Sequence, residues 1–219
     1  MEHSEMYNDL QEWLGLIGTR EGDYYLKDGL LDDVYDWERD EVEEILYSNF
    51  IKDGSATIYF ARYMPKLRNY NGIKALKKIV AKCKSVYKYQ KNVLVVLLEE
   101  TGDKKYLDMI IDLYHYWESR KQSAQMIGII STLVHYCSPT EDIFNALSEV
   151  YIDSEYIYVQ GIASTGLLYN VGFIKDIYNY TKEKDYKEKV HIFNMFITND
   201  INKRIALVEK LRAGVPLGD

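Results

Sequence analysis

Apolar residues recur at every third or fourth position from about residue 55 onward, the spacing of one buried helix face. The clearest copies occupy positions i, i+3, i+4 and i+7 and are Ile73, Leu76, Lys77, Val80; Leu107, Ile110, Ile111, Tyr114; Ile143, Ala146, Leu147, Val150; Ile174, Ile177, Tyr178, Thr181; and Ile201, Arg204, Ile205, Val208. Lys77 and Arg204 make the first and last copies imperfect. The pattern predicts the second helix of each of five helical pairs.

Capping residues mark the predicted helix starts, because short polar side chains accept hydrogen bonds from the free N–H groups of a first turn. These motifs are Ser119-x-x-Gln122, Asp185-x-x-Glu188, Ser138-Pro139-Thr140-Glu141 with a proline at the first helical position, Asp103 after Gly102, and Ser55 after Gly54. We therefore expect first helices to begin near residues 55, 86, 119, 154 and 185. The resulting units are about 31 to 35 residues long.

A repeat of helical pairs in this length range is typical of an α-solenoid, since one hairpin must stack on its neighbours to bury its apolar face. Over roughly residues 55 to 213 the pattern resembles the HEAT-like (ARM-type) repeat superfamily. It lacks the signatures of tetratricopeptide and ankyrin repeats. The resemblance implies a curved scaffold that binds protein or nucleic acid. We predict an all-α fold, an α-α superhelix of about five helical hairpins.

The amino-terminal segment is less regular and is predicted to cap this stack. Residues 1–54 would form an acidic, irregular helical cap, and residues 55–219 a single continuous repeat domain. We expect one helix near residues 3 to 16, a Gly- and Tyr-rich turn, and helical structure from 30 to 51. Terminal units of solenoids are usually atypical because they cover the stack with a polar outer face.

Charge is distributed unevenly along a chain whose composition is otherwise ordinary, with 47% hydrophobic and 28% charged residues. Residues 1–53 hold 16 acids and 4 bases, residues 54–98 hold 10 bases and no acid, and residues 99–219 hold 18 acids and 13 bases. The whole chain has a net charge of −7 and a pI near 5.2. We call residues 1–53 the acidic front and residues 54–98 the basic belt. One interpretation is that these two segments partly neutralise each other across a fold contact.

The sequence predicts a cytoplasmic protein with no membrane segment, because the amino terminus has neither a basic region nor a long apolar run. The two cysteines, Cys83 and Cys137, lie 54 residues apart and form no zinc or disulfide pattern. We interpret both as small, inert buried residues.

No catalytic motif is found, which predicts a protein that is not an enzyme and has no cofactor or metal. P-loop, dinucleotide-binding, zinc-protease and nucleophile-elbow motifs are absent from the sequence. The four histidines, His3, His115, His135 and His191, have no His or Cys partner at ligand spacing. An active site assembled from separate repeats stays open as a third hypothesis.

The stretch DDVYDWERDEVEEIL, residues 32–46, carries eight carboxylates and two aromatic residues. As one continuous helix it would have an apolar stripe, but Glu38 falls inside that stripe and Trp37 at its margin. Because Asp40-x-x-Glu43 matches a capping box, we expect a break near residues 37–40 and a new helix from 41. The stretch fits neither a calcium loop nor a di-iron site.

The leading hypothesis is a non-catalytic protein-binding module whose acidic surface captures a basic partner. Small acidic solenoid proteins with irregular caps are similar to bacterial immunity proteins that block cationic toxins. The predicted partner-binding residues are Asp32, Asp33, Tyr35, Asp36, Trp37, Glu41 and Glu44.

The alternative hypothesis is nucleic-acid binding through a lysine face between residues 62 and 91. On a helix beginning near Gly72, lysines would occupy the side opposite the apolar stripe, and such a stripe neutralises phosphates. The predicted contacts are Lys74, Lys77, Lys78 and Lys82.

Overall fold

The all-α prediction is confirmed for the residues that the computed structural model describes, which are 2–16, 29–53, 58–182 and 185–217. These residues form 12 α-helices and three short 3₁₀ turns, and no strand occurs among them. The chain divides into two compact units, Met1–Lys82 and Cys83–Asp219. The predicted domain boundary after residue 54 lies outside the described residues and stays a prediction.

The first unit is built around the apolar faces of its longer helices. Its described helices are α1 (Glu5–Leu16), α2 (Leu30–Asp33), α3 (Arg39–Asp53), α4 (Ile58–Tyr63) and α5 (Gly72–Lys82), with a 3₁₀ turn at Met64–Lys66. In the core, the rings of Trp13 and Phe60 lie 5.0 Å apart. The predicted break within residues 32–46 is confirmed, but the new helix begins at Arg39 rather than at residue 41.

In the second unit, most helices pack on helices that lie close to them in the sequence. The described helices are α6 (Lys91–Thr101), α7 (Lys104–Glu118), α8 (Ser123–Tyr136), α9 (Glu141–Asp153), α10 (Ile157–Asn170), α11 (Tyr186–Met195) and α12 (Ile201–Arg212), with 3₁₀ turns at Val86–Lys88 and Tyr180–Lys182. From α6 to α10, each helix contacts the next one in the sequence or the one after it, and α12 packs on α9. Each therefore buries its apolar face against neighbours that follow it closely in the chain.

The predicted cap Asp103 is correct, whereas two other predicted helix starts are wrong, because Thr140 rather than Ser138 caps α9 and Ser119 does not begin a helix. Asp103 and Thr140 cap α7 and α9, and each side chain accepts a 3.2 Å hydrogen bond from a backbone N–H of the first turn. Pro139 precedes the cap instead of occupying the first helical position. Ser119 ends α7 rather than beginning the next helix, because its N–H still bonds to a carbonyl of α7, and α8 starts at Ser123.

The helix predicted across residues 174–181 is not formed. Gly172 follows α10 with a φ of +74°, a left-handed conformation that commonly terminates helices. Asp176 then accepts hydrogen bonds at 2.9 and 3.2 Å from the backbone N–H groups two and three residues further along. Such local bonds compete with a helix. Ile174 and Ile177 are nevertheless buried, as their place in the apolar stripe predicted.

The two cysteines differ in environment. Cys137 is 6% exposed and its thiol donates to the carbonyl of Val95 at 3.7 Å. Burial, assisted by the charge of Glu99, raises the pKa of this thiol to about 12. Cys83 is only partly buried, so the interpretation of both cysteines as buried is wrong for Cys83.

We therefore expect Ellman's reagent to label Cys83 at pH 8 and to leave Cys137 unreacted until the protein unfolds. With a pKa of about 12, roughly one Cys137 thiol in 10⁴ is ionised at pH 8, and the thiolate is the reacting form. The absorbance of released thionitrobenzoate measures how many thiols react in the folded protein, which we call fast thiols. The variant Cys83→Ser should show no fast thiol, whereas one fast thiol in that variant would contradict the expectation.

Candidate functional site

A buried carboxylate, Glu38, organises the amino-terminal end of the first unit. Its side chain has 0% exposure. It accepts hydrogen bonds from the backbone N–H of Ser4 at 2.8 Å and of Tyr35 at 3.1 Å, and from Nδ1 of His3 at 2.9 Å. Ser4 in turn accepts from the N–H of Tyr7 at 3.1 Å, which is N-cap geometry for α1. Glu38 therefore fixes the start of α1 against the turn that leads into α3.

The pKa of Glu38 lies below its ordinary value. Burial alone raises the pKa, because it penalises the charged form, but the hydrogen bonds from Ser4, Tyr35 and His3 outweigh that effect. The carboxyl is thus held as a carboxylate. An ionised carboxylate can only accept hydrogen bonds, so Nδ1 of His3 is the donor in their contact.

Four aromatic side chains form a row over this cluster, which we name the aromatic row: Tyr7, His3, Trp37 and Tyr35. Ring centroids are 4.0 Å apart for Tyr7 and His3, 5.2 Å for His3 and Trp37, and 6.3 Å for Trp37 and Tyr35. Tyr35 is 51% exposed and Trp37 47% exposed. The row presents large aromatic faces to solvent while its base is hydrogen-bonded to Glu38.

The aromatic row is joined to the carboxylates of α3 through Tyr7. The Tyr7 hydroxyl donates to Glu41 at 2.7 Å, and this hydrogen bond is the main cause that raises the pKa of Tyr7. Glu41 therefore keeps the outer ring of the row in place while its carboxylate stays exposed.

All seven predicted partner-binding residues are exposed. Asp32 and Asp33 lie on α2, Tyr35, Asp36 and Trp37 in the following turn, and Glu41 and Glu44 on α3. Asp32, Asp33, Asp36 and Glu44 form no ion pair with the described residues. We call these seven residues, with His3 and Tyr7, the acidic aromatic surface. Its role as a partner-binding site stays a prediction.

A second buried carboxylate, Glu43, holds the turn before α5. Glu43 accepts from Nε of Arg39 at 2.7 Å and from the backbone N–H groups of Arg68 and Asn69, both at 2.9 Å. Burial raises its pKa, but these bonds lower it below the ordinary value. Asp40 accepts from the Asn69 amide at 2.7 Å. The predicted capping box is therefore wrong, because both of its acids bind the turn at residues 68–69.

The four predicted nucleic-acid contacts are also exposed. Lys74, Lys77, Lys78 and Lys82 project from α5, and none forms an ion pair within the described part of the chain. The acidic residues of α3 contact the turn at residues 68–69, where Glu43 accepts from two backbone N–H groups and Asp40 accepts from the Asn69 side chain. Among the described residues, the four lysines of α5 form no ion pair with Asp32, Asp33, Asp36 or Glu44.

The second unit has a groove of about 640 Å³ between α8, α10 and α11. Its lining is apolar, aromatic or neutral polar and includes Tyr158, Tyr180, Tyr186 and Phe193. One imidazole, His135, lines it, and its Nδ1 already donates to the carbonyl of Ser131 at 2.7 Å. No carboxylate lines the groove, so the described lining offers no acid–base pair.

Sequence reasoning missed two members of the acidic aromatic surface, His3 and Tyr7, and the buried carboxylate beneath it, Glu38. The place of Glu38 inside an apolar stripe was the one signal available. His3 and Tyr7 gave no signal, because their partners lie more than 30 residues away.

The resemblances to HEAT-like repeats and to acidic immunity proteins rest on the residues alone. Among the described residues, no group of three or more His, Cys, Asp or Glu side chains could hold a metal ion. None of the helices in the described ranges is long and apolar enough to cross a membrane. No protein-family model, curated protein or solved structure matches this chain.

Proposed function

We propose that this chain is a non-catalytic protein-binding module whose acidic aromatic surface captures a basic partner. The observation that carries the proposal is the half-exposed pair Tyr35 and Trp37, held over buried Glu38 and flanked by carboxylates without ion-pair partners in the described chain. Proteins use such exposed aromatic residues as anchors in interfaces. The surrounding negative charge speeds and orients the approach of a cationic partner.

The chemistry of the surface favours arginine and lysine side chains on the partner. A cation is attracted to the face of an indole or phenol ring within about 6 Å of its centroid. Asp36 neighbours both exposed rings in the sequence, and Glu41 is bonded to the same row. A guanidinium stacked on Trp37 would therefore meet a ring face and carboxylates together, a combination that suits arginine better than lysine.

The most specific form of the proposal is an immunity-type inhibitor of a cationic toxin, acting in the cytoplasm. The proposed scaffold is a HEAT-like stack of about five helical hairpins with an acidic amino-terminal cap. From α6 to α10, each helix contacts the next helix or the next but one, which supports the stacked arrangement. The likeness to immunity proteins is one of class, carried by acidity, size and helical repeats.

Charge reversal tests the proposal. Changing Asp32, Asp33, Asp36, Glu41 and Glu44 to lysine should weaken binding of a labelled octa-arginine peptide by about 30-fold, because five exposed pairs at about 0.4 kcal/mol each sum to about 2 kcal/mol. Fluorescence anisotropy gives the affinity. Circular dichroism should show unchanged helicity, since all five side chains are exposed.

A matched control distinguishes the effect of this surface from the effect of net charge alone. Reversal of five exposed acids of the second unit, Asp108, Asp112, Glu149, Glu155 and Glu209, makes the same change in charge elsewhere. Binding by the control should stay near that of the unmodified protein. Equal losses in both variants, or no loss in the first, would sink the proposal. A protein captured from cell extract by the unmodified chain and the control, but not by the first variant, would be the partner.

A further inference from the structure

The lysine face of α5 is a second charged surface of the first unit, on a different helix from the acidic aromatic surface. Lys74, Lys77, Lys78 and Lys82 fall within an arc of about 140° at 100° per residue. The opposite side of α5 buries Gly72 and Leu76. The four ammonium groups therefore project together into solvent, and no ion pair with the described residues holds any of them.

The turn that leads into α5 adds a further cation, whose backbone is held in place. Arg68 is exposed, and its backbone N–H is held by the buried carboxylate of Glu43 at 2.9 Å. No acid occurs between residues 54 and 98. The lysine face itself therefore carries one charge sign, and the turn before it is anchored by Glu43, with the exposed carboxylate of Asp40 bonded to Asn69 at its edge.

We propose that the lysine face of α5 binds the phosphate backbone of a nucleic-acid duplex. Lys74, Lys78 and Lys82 follow one another at about 6 Å along the helix and span about 12 Å. A duplex carries one negative charge per about 1.7 Å of its axis, so this length faces about seven phosphates. Lysine acts on phosphate as a point charge, and the resulting binding is independent of base sequence.

The composition of the face favours phosphate over an acidic protein. Protein interfaces depend on buried aromatic or arginine anchors surrounded by weaker contacts. Between Lys74 and Lys82 the exposed positions hold only lysines and Ala81, so the face offers no such anchor. Regularly spaced ammonium groups without an apolar centre suit a polyanion whose charges are themselves regularly spaced.

Salt dependence tests the proposal. Anisotropy of a labelled 16-base-pair DNA duplex, measured from 25 to 200 mM NaCl, should give a slope of log K against log salt of about −3.6 for four phosphate contacts. A matching RNA duplex tested in parallel identifies the nucleic acid, and this slope with either duplex supports the proposal. The double variant Lys74→Gln/Lys78→Gln should reduce the slope to about −1.8.

The control is Lys203→Gln/Lys210→Gln on α12, which removes two exposed lysines of the second unit. Its slope should equal that of the unmodified protein. No binding of either duplex at 25 mM NaCl, equal losses in both double variants, or equal competition by polyglutamate would overturn the proposal. The five-acid reversal should keep duplex binding while it loses the arginine peptide, so the two proposals fail separately.

Discussion

Replacing Arg204 with alanine is expected to lower the free energy of unfolding of the second unit by about 3 kcal/mol, measured by urea denaturation. Arg204 is 7% exposed, and its Nη1 donates to the carbonyls of Tyr151 at 3.0 Å and Ser154 at 2.8 Å. Hydrogen bonds from a charged donor contribute about 1.5–3 kcal/mol each, and alanine removes both. The side chain ties α12 to the carboxyl end of α9, so α12 should lose its attachment there.

Two further variants separate hydrogen bonding from packing. Arg204→Met keeps the volume of the chain but donates nothing, whereas Arg204→Lys keeps the charge and one donor group. Because Nε of Arg204 has no hydrogen-bond partner among the described residues, its burial carries a cost that methionine avoids. We expect methionine to lose less stability than alanine. For Arg204→Ala, a change in the free energy of unfolding below about 0.5 kcal/mol, the range of ordinary surface substitutions, would contradict the role of Arg204 in holding α12 on α9.

Arg204 also shows what helical periodicity predicts. It occupies an apolar position of the last repeat copy, and the structure places it on the buried face, as that position requires. The apolar spacing could not predict the hydrogen-bond acceptors of Arg204. They are carbonyls 50 and 53 residues earlier in the chain, and every residue type has a carbonyl. In this copy the spacing is right for Arg204 and Val208 but not for Ile201 and Ile205, which are 46% and 36% exposed, and the long-range partners depend on how helices meet.

Glu38, in the first unit, is likewise a buried side chain whose partners the sequence did not predict. The sequence placed it inside an apolar stripe as a misfit, and the structure buries it with donors from His3, Ser4 and Tyr35. The five acids chosen from the sequence are exposed as expected, because they lie outside the stripe, whereas Tyr35 is exposed although the continuous-helix pattern placed it inside the stripe. The alignment of these residues with His3 and Tyr7 was not predictable, since it requires α1 to begin beside the turn that precedes α3.

Local motifs were a weaker guide than periodicity. Ser119-x-x-Gln122 has the residues of a capping box, but α7 continues through the preceding turn and the box is not used. Across residues 174–181 the apolar spacing was right for the burial of Ile174 and Ile177 but not of Tyr178 and Thr181. It was wrong for helix, because Gly172 and Asp176 each favour a competing turn. Short polar residues and glycine stabilise several local structures, and tertiary packing selects among them.

The Glu38 cluster should be required for partner binding although its carboxylate is buried. We expect Glu38→Ala to release His3, Ser4 and Tyr35 together and to displace Trp37 from the aromatic row. Binding of the octa-arginine peptide should fall by about 100-fold, the loss typical for one hot-spot aromatic. The Trp37 indole signal in a ¹H–¹⁵N spectrum should shift at the same time, while the signal of core Trp13 stays in place.

Two controls and a pH series distinguish positioning from charge. Asp36→Ala also removes one acid but leaves the cluster intact, so its loss of affinity should be several-fold only; Glu38→Gln keeps an oxygen acceptor and should fall between the two. Because the pKa of Glu38 is lower in the folded state than its ordinary 4.5, the cluster stabilises the unit fully above pH 4.5. This contribution is lost as the pH falls through the lower, folded-state pKa. In Glu38→Ala that acid-dependent step should disappear. An unchanged Trp37 signal in Glu38→Ala would show that the carboxylate does not position the aromatic row.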